Sequence, residues 1–336
     1  MKQTAVVILN WNGQKHLAHY MPSVVKHTSA DARIVVADNG STDDSVSFLQ
    51  ENYPSVEILR LDKNYGFAEG YNRALREIQA KYYILLNSDV EVTAGWIEPL
   101  IEMLQQDDAI AAVAPKLLSD VERDKFEYAG AAGGFIDYLG YPLCRGRILS
   151  TIEQDKGQYD SPREVFWASG AAFCCRAEIF HKLGGFDKDF FAHMEEIDLC
   201  WRMQLAGYKI MSEPRSVVYH LGGGTLPNES PGKLYLNYRN NLAMLYKCAP
   251  TMQRFTVAIL RPLADMLSVL IYLLKGEIKL AAATLRAYRD FFALHKELGK
   301  KRKAVRSSRV AESGNIYRGS MVVRYMLGRH KFDNMI

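Results

Sequence analysis

The chain has 336 residues, 48% of them hydrophobic and 24% charged. That globular composition sets disorder aside and allows one large domain with an appendage, or two domains. The formal net charge of +4 is too small to point to nucleic acid, and much of the basic excess lies after residue 270. Five cysteines, with Cys174 and Cys175 adjacent, make neither a disulfide framework nor a spaced metal knuckle. They suit small core positions in a reducing compartment.

Residues 4–9 form a short apolar run rich in β-branched side chains, which predicts a strand ending in the turn Asn10-Trp11-Asn12-Gly13. The run is too short for a signal peptide, so the catalytic part is expected in the cytoplasm. No G-x-G-x-x-G loop follows this strand, which argues against a dinucleotide-binding dehydrogenase. A second strand, 33–37, runs into Asp38-Asn39-Gly40-Ser41-Thr42-Asp43-Asp44. Ser41 or Thr42 is expected to cap the following helix, with Asp43 and Asp44 at its positive end. Asp38 stands earlier, at the strand tip, where it can accept hydrogen bonds from a ribose or base.

A third strand, 56–61, is followed by Asn64-Tyr65-Gly66-Phe67 and a helix over 68–79. Asn72 on that helix is either a hydrogen-bonded core residue or a ligand contact. Residues 82–86 read as a buried strand that stops abruptly at Asn87-Ser88-Asp89. Such a strand delivers a carboxylate to the sheet edge where ligands bind in open α/β folds, making Asp89 a candidate oxygen ligand to a divalent cation. A helix over 96–104 and a strand over 110–116 continue the alternation, which predicts a mostly parallel sheet covered by helices. Between 119 and 163 the periodicity fades into a long excursion suited to lining an acceptor site.

The strand pattern resumes over 165–175, and a short helix over 177–183 stops at Gly184-Gly185. A further helix over 195–205 opens with Glu195, Glu196 and Asp198 in its first turn. Acidic residues favour a helix N-terminus on dipole grounds alone, yet an anchored carboxylate there can also serve as a general base. Short strands over 209–211 and 216–219 then deliver His220 in front of Gly222-Gly223-Gly224-Thr225, a metal or phosphate candidate.

Five motifs thus stand in order: Val6-Val7-Ile8-Leu9-Asn10-Trp11-Asn12-Gly13; Asp38-Asn39-Gly40-Ser41-Thr42-Asp43; Asn64-Tyr65-Gly66-Phe67-Ala68 with Asn72; Leu85-Leu86-Asn87-Ser88-Asp89; and Glu195-Glu196-Ile197-Asp198-Leu199 with Arg202 and Gly207. Together they resemble the family 2 glycosyltransferases of the GT-A fold, notably the branch of rhamnosyl- and galactofuranosyltransferases. The resemblance implies a catalytic domain over 1–245 and an inverting transfer from a UDP- or dTDP-sugar to a saccharide or lipid-linked saccharide acceptor. By the same resemblance Asn10, Asp38, Asn64, Gly66, Asn72, Asn87, Ser88 and Arg202 line the nucleotide-sugar pocket. Asp89 matches the last acid of the family's D-x-D motif, with Asn87 in place of the first. His220 matches a histidine that completes the metal site in some relatives, for Mn²⁺ or Mg²⁺. Glu196 stands where the family has its catalytic base, with Glu195 and Asp198 as alternatives. A catalytically silent nucleotide-sugar-binding or scaffold subunit is the rival reading.

A helix over 235–246 carries Tyr238-Arg239-Asn240-Asn241, similar to a family helix whose arginine often faces donor or acceptor. Residues 255–275 are mostly apolar, but Arg261, Asp265, Ser268, Tyr272 and Lys275 fall on one helical stripe. With Lys300-Lys301-Arg302-Lys303, Arg306 and Arg309 beyond, the region 250–336 is expected to be a helical appendage. It would associate with the inner face of the cytoplasmic membrane.

Overall fold

The computed structural model describes residues 2–222, 230–332 and 335. Strands β1 (Thr4–Asn10), β2 (Ala32–Asp38) and β3 (Glu57–Arg60) alternate with helices α1 (Gln14–His27), α2 (Ser45–Asn52) and α3 (Gly66–Glu77). The chain continues through β4 (Tyr82–Asn87), β5 (Val90–Val92), α4 (Glu98–Gln106) and β6 (Ile110–Ser119). Four short strands follow: β7 (Gly134–Asp137), β8 (Pro142–Cys144), β9 (Arg147–Ile148) and β10 (Thr151–Ile152). Then come β11 (Arg163–Val165), β12 (Ala172–Arg176), α5 (Ala177–Lys182), α6 (Glu195–Leu205) and β13 (Lys209–His220). The C-terminal part holds α7 (Pro231–Cys248), α8 (Thr251–Leu274), α9 (Ile278–Ala293), α10 (His295–Ser307), β14 (Ile316–Tyr317) and α11 (Met321–Met326).

The main sheet runs β11-β13-β6-β12-β4-β1-β2-β3, with β5 paired to β13. Strands β1 to β4 pair in parallel, as the alternation of strand and helix predicts, and so do β6 and β13. β12 is inserted antiparallel between β4 and β6. A continuous apolar run carries no directional signal, so this inversion is not visible in sequence. It brings the entrance of β12, around Gly170 and Ala171, beside the exit of β4, where Asn87 N–H donates to Ala171 O at 2.9 Å. Tyr82 to Leu86 of β4 are all buried, each contributing roughly 1.5–3 kcal/mol.

Other boundaries shift for local reasons. The two short strands expected around 209–219 are one strand, β13, interrupted by an irregularity between Glu213 and Val217. The expected strand over 165–175 splits into β11 and β12. The N-cap of α2 is Asp44, not Ser41 or Thr42, and the first helical N–H, of Ser45, donates to Asp43 Oδ1 at 3.1 Å. Ser41 Oγ instead accepts from Asn12 N–H at 2.9 Å. The 119–163 excursion builds a small second sheet, β10-β9-β8-β7-β14, whose last strand arrives from the C-terminal region.

α8 packs in an unusual sense. Its polar stripe faces inward, with Gln253, Val257, Arg261, Asp265 and Val269 buried at every fourth position. Arg261 Nε meets both carboxylate oxygens of Asp265 at 2.9 Å, Tyr141 and Tyr288 donate to the same carboxylate, and Arg261 Nη1 donates to Asn241 Oδ1 at 2.6 Å. The apolar residues Phe255, Ile259, Leu260, Leu263, Leu267, Leu270 and Ile271 are exposed. By length and composition α8 is apolar enough to cross a membrane, one such helix among the described residues. The basic run is only partly a free surface. Arg302 is buried against the carbonyls of Tyr246 and Ala249, and Lys301 pairs with Asp187 and Asp189.

Candidate active site

The exits of β1, β2 and β4 lie side by side because those strands pair in register, with Asn10 opposite Asp38 and Leu9 opposite Asn87. Asp38 Oδ2 accepts from Ser41 N–H at 3.1 Å, and Asn10 Nδ2 approaches Asp38 Oδ1 at 3.4 Å and Ser41 Oγ at 3.2 Å. The carboxylate is oriented, with acceptor capacity to spare. Asn10 Oδ1 is enclosed and has no hydrogen-bond partner. Gly13 is required beside it, because a Cβ there would lie 2.3 Å from that oxygen. Ser88 Oγ lies near the same point, 3.6 Å from that Cβ position.

The third motif is mostly a brace. Asn64 Oδ1 accepts from Gly66 N–H at 2.8 Å and from Asn39 Nδ2 at 3.1 Å, forming the turn into α3. Gly66 has φ +77°, and a Cβ there would lie 2.5 Å from the Phe191 ring. Asn72 is buried, its Oδ1 accepting from Phe186 N–H and its Nδ2 donating to Phe186 O, both at 2.9 Å. Of the two roles open to Asn72, the structure shows the hydrogen-bonded core residue.

Asp89 follows β4 directly, and pairing of β5 with β13 places His220 opposite Val90. His220 Nε2 consequently stands 3.3 Å from Asp89 Oδ1, and both side chains are buried. On the other side of the imidazole, Glu127 Oε1 lies 3.3 Å from Nδ1. Burial alone would lower the imidazole pKa, but Glu127 and Asp89 outweigh it and raise the pKa to about 10. Burial pushes the Asp89 carboxyl up, and His220 more than reverses this, leaving it below the usual range. A cation that displaces the imidazole proton finds one hard oxygen and one ring nitrogen converging at one point, with a diphosphate and water to supply the remaining ligands. Among the described residues no group of three or more His, Cys, Asp or Glu side chains could hold a metal ion unaided. Of the glycine loop beyond His220, Gly223, Gly224 and Thr225 lie outside the described residues.

α6 begins with the two glutamates after a strained approach. Phe191, His193 and Met194 have φ of 64°, 68° and 72°. A left-handed backbone costs a non-glycine residue roughly 1–2 kcal/mol. Glu195 is buried and Glu196 partly exposed, and each has one carboxylate oxygen, Oε2, enclosed without a partner. Burial, then the neighbouring charge of Glu196, push the Glu195 carboxyl well up. Burial raises that of Glu196 to about 7. Glu196, the more exposed member of the pair, is the one placed to meet an acceptor hydroxyl. Its Cβ lies 3.9 Å from where a Cβ on Gly170 would stand, next to the exit of β4.

Tyr71 connects this end of the site to Asp89. Its hydroxyl lies at the β1–β4 seam, 3.1 Å from Leu86 O. Burial, and beyond it the charges of Asp89 and Glu195, raise its pKa.

Two expected site residues serve elsewhere. Asp198 is fully buried and neutralised by Arg202 Nε at 2.8 Å and Lys247 Nζ at 2.7 Å, so it is not available as a base. Arg202 spends its other nitrogens on Leu183 O and Gly185 O, both at 2.7 Å, holding the loop below α6 rather than a nucleotide. Arg239 likewise faces the carbonyls of Asp189 and Phe190 and Asn240 Oδ1, not donor or acceptor. Sequence reasoning missed Glu127, which lies in the excursion without a motif around it. It also missed the task of Asn240, whose three carbonyl partners lie about fifty residues away.

A sheet pole that gathers Asp38, Asp89, His220 and Glu196, with helices on both faces, has the architecture of a GT-A nucleotide-sugar transferase. The chain belongs to glycosyl transferase family 2, whose family model matches residues 5–184, and it is a glycosyltransferase. Among relatives, the N-acetylglucosaminyl-diphospho-decaprenol L-rhamnosyltransferase of Mycobacterium tuberculosis is 27% identical over 231 residues, 64% of this chain and 75% of that protein. The pre-mycofactocin glycosyltransferase of the same species is 29% identical over 197 residues, 56% of this chain but only 37% of that protein. These relatives agree with the rhamnosyltransferase-like branch.

Solved structures show the same fold. Mannosyltransferase PcManGT from Pyrobaculum calidifontis, in complex with GDP-Man and Mn²⁺, superposes with TM-score 0.54 at 14% identity. The match covers 91% of this chain and 85% of that one. GalNAc-T7 with UDP, GalNAc and Mn²⁺ gives TM-score 0.56 at 19% identity over 74% of this chain, which spans about half of that structure's length (48%).

Proposed function

We propose that the protein is an inverting glycosyltransferase that moves a sugar from a UDP- or dTDP-sugar, such as the rhamnose donor, to a hydroxyl of a lipid-linked saccharide in cell-surface polysaccharide assembly. The observation that carries this reading is the shared pole. Asp89 follows β4 and meets His220 across the β5–β13 pairing, and Glu196 lies beside Gly170, where the chain enters β12 next to the β4 exit. Asp38 and the unpartnered Asn10 Oδ1 suit a ribose or base that offers donors. Glu196, with its raised pKa, accepts the proton of the acceptor hydroxyl. The acceptor oxygen bonds to the anomeric carbon as the bond to the diphosphate breaks on the opposite face, and the nucleoside diphosphate leaves with the electron pair. The transition state has oxocarbenium character. A Mg²⁺- or Mn²⁺-type ion, held by Asp89 and His220, supplies charge stabilisation at the diphosphate when bound. The name of the mycobacterial relative, which specifies a decaprenol-linked substrate and rhamnosyl transfer, supports this substrate class.

The reading includes a membrane face. The exposed apolar side of α8 rests on the cytoplasmic leaflet, while its buried Arg261–Asp265 stripe keeps the helix on the protein. Exposed Lys275 at its carboxyl end and Lys279 at the start of α9 suit anionic headgroups. A helix bound to protein along a charged stripe lies in the interface rather than spanning it.

Thermal shifts with a panel of UDP-, dTDP- and GDP-sugars in Mn²⁺ test the donor assignment. One UDP- or dTDP-sugar should stabilise the protein, by about 2.7 kcal/mol at a hundredfold excess over Kd. No shift with any nucleotide sugar contradicts the reading.

A further inference from the structure

We infer that Asn240 on α7 and Lys301 on α10 are positioning residues for Glu196, so that the C-terminal helices belong to the catalytic apparatus; this rests on the reading of Glu196 as the base. The approach to α6 is neither helix nor strand at residues 191–194, and three of its four residues hold a positive φ without being glycine. Its carbonyls are held from outside. Asn240, fully buried, donates its amide hydrogens to Phe190 O and Ala192 O at 2.9 Å and to His193 O at 2.8 Å. Asn240 Oδ1 is fixed in turn by Arg239 Nε and Nη2 at 2.9 and 2.7 Å, and Arg239 Nη2 also reaches Asp189 O at 2.8 Å. Phe191 O accepts from Phe67 and Ala68 N–H, at 2.7 and 3.0 Å, at the start of α3.

Charge closes the cage from below. Lys301 reaches from α10 to Asp187 and to Asp189 at 2.7 Å. Lys247 joins Asp187 at 2.6 Å to Asp198 of α6 at 2.7 Å. Strained backbone persists only where its surroundings over-determine it, and such segments concentrate where a group must be aimed. Here the segment ends on Glu195 and Glu196, and beyond the Phe67 and Ala68 amides its restraints come from residues 239, 240, 247 and 301 of the C-terminal helices. Neither Asn240 nor Lys301 needs to touch substrate to act.

The test compares wild type, Asn240→Ala, Lys301→Met, Lys301→Arg and Glu196→Gln in nucleoside diphosphate release from whichever UDP- or dTDP-sugar of the panel turns over fastest. Lys301 lies at the rim, so Lys301→Met is expected to fold even if Asn240→Ala does not. Misplacement of the base should lower kcat about 10- to 100-fold in Lys301→Met with KM for the nucleotide sugar little changed. Lys301→Arg should restore most of the loss. Wild-type kcat in Lys301→Met, measured below its melting temperature while Glu196→Gln is inactive, overturns the positioning role and leaves the base intact. A rise in donor KM that matches the fall in kcat/KM also overturns it, as general loosening. Full activity in Glu196→Gln removes the base, and with it anything to position.

Discussion

His220 stands between two carboxylates, with Nε2 3.3 Å from Asp89 Oδ1 and Nδ1 3.3 Å from Glu127 Oε1. The first belongs to the strand-tip motif, and the second comes from the excursion after β6. An imidazole that ligates through one nitrogen is usually oriented by an acceptor on the other, which strengthens it as a ligand. Asp89→Ala should therefore abolish Mn²⁺-stimulated turnover, whereas Glu127→Gln should weaken Mn²⁺ binding about 10- to 100-fold and leave turnover at saturating Mn²⁺ largely intact. Activity titrated against Mn²⁺ separates the two, and identical curves for Glu127→Gln and wild type would contradict the orienting role.

The Glu196 carboxyl, raised to about 7 by burial, predicts the pH profile. The base acts only when ionised, so kcat/KM should be low under acid conditions and rise as pH increases through about 7. A profile already flat from pH 5 upward would show that no raised carboxyl limits the reaction.

Lys247 is buried between Asp187 and Asp198. Lys247→Met leaves two buried carboxylates short of a cation and should cost about 3–5 kcal/mol in denaturant unfolding. Burial alone would raise the Asp187 pKa, but Lys247 and Lys301 hold it below the ordinary carboxylate range. A depressed pKa in the folded state contributes stability that is fully present above the unfolded value, near pH 4. That contribution is lost as pH falls further. Acid unfolding of wild type should accordingly begin below about pH 4, and Lys247→Met should flatten that dependence.

Leu263 and Leu267 of α8 are 67% and 57% exposed, so replacing both by glutamate removes no core contact. The Leu263→Glu/Leu267→Glu double variant should keep its melting temperature and stop co-sedimenting with vesicles of phosphatidylglycerol and phosphatidylethanolamine. Equal sedimentation of both proteins, or none for wild type at low salt, would contradict the membrane face.

How much of this was legible in the sequence depended on range. Asp38, Asp89 and His220 could be found because each ends an apolar run at the point where a buried strand must emerge. Glu195 and Glu196 could be found from the acidic first turn of a periodic helix. Glu127 could not, because the strands of its region are two to four residues long, too short for a period to register. Asp198 and Arg202 looked like site residues until the structure supplied Lys247, Leu183 and Gly185 as partners. The stripe on α8 was visible as a pattern, but only Tyr141, Tyr288 and Asn241 show that it faces inward. The direction of β12, which sets Gly170 beside Glu196, had no local signature at all.

Transfer by Glu196→Gln, with nucleotide-sugar binding measured on the same sample, decides whether this carboxylate is the base. Glutamine keeps the shape of the side chain and cannot take a proton. Binding should stay at the wild-type level while transfer falls by about 100-fold or more. Unimpaired transfer with unimpaired binding would contradict the account.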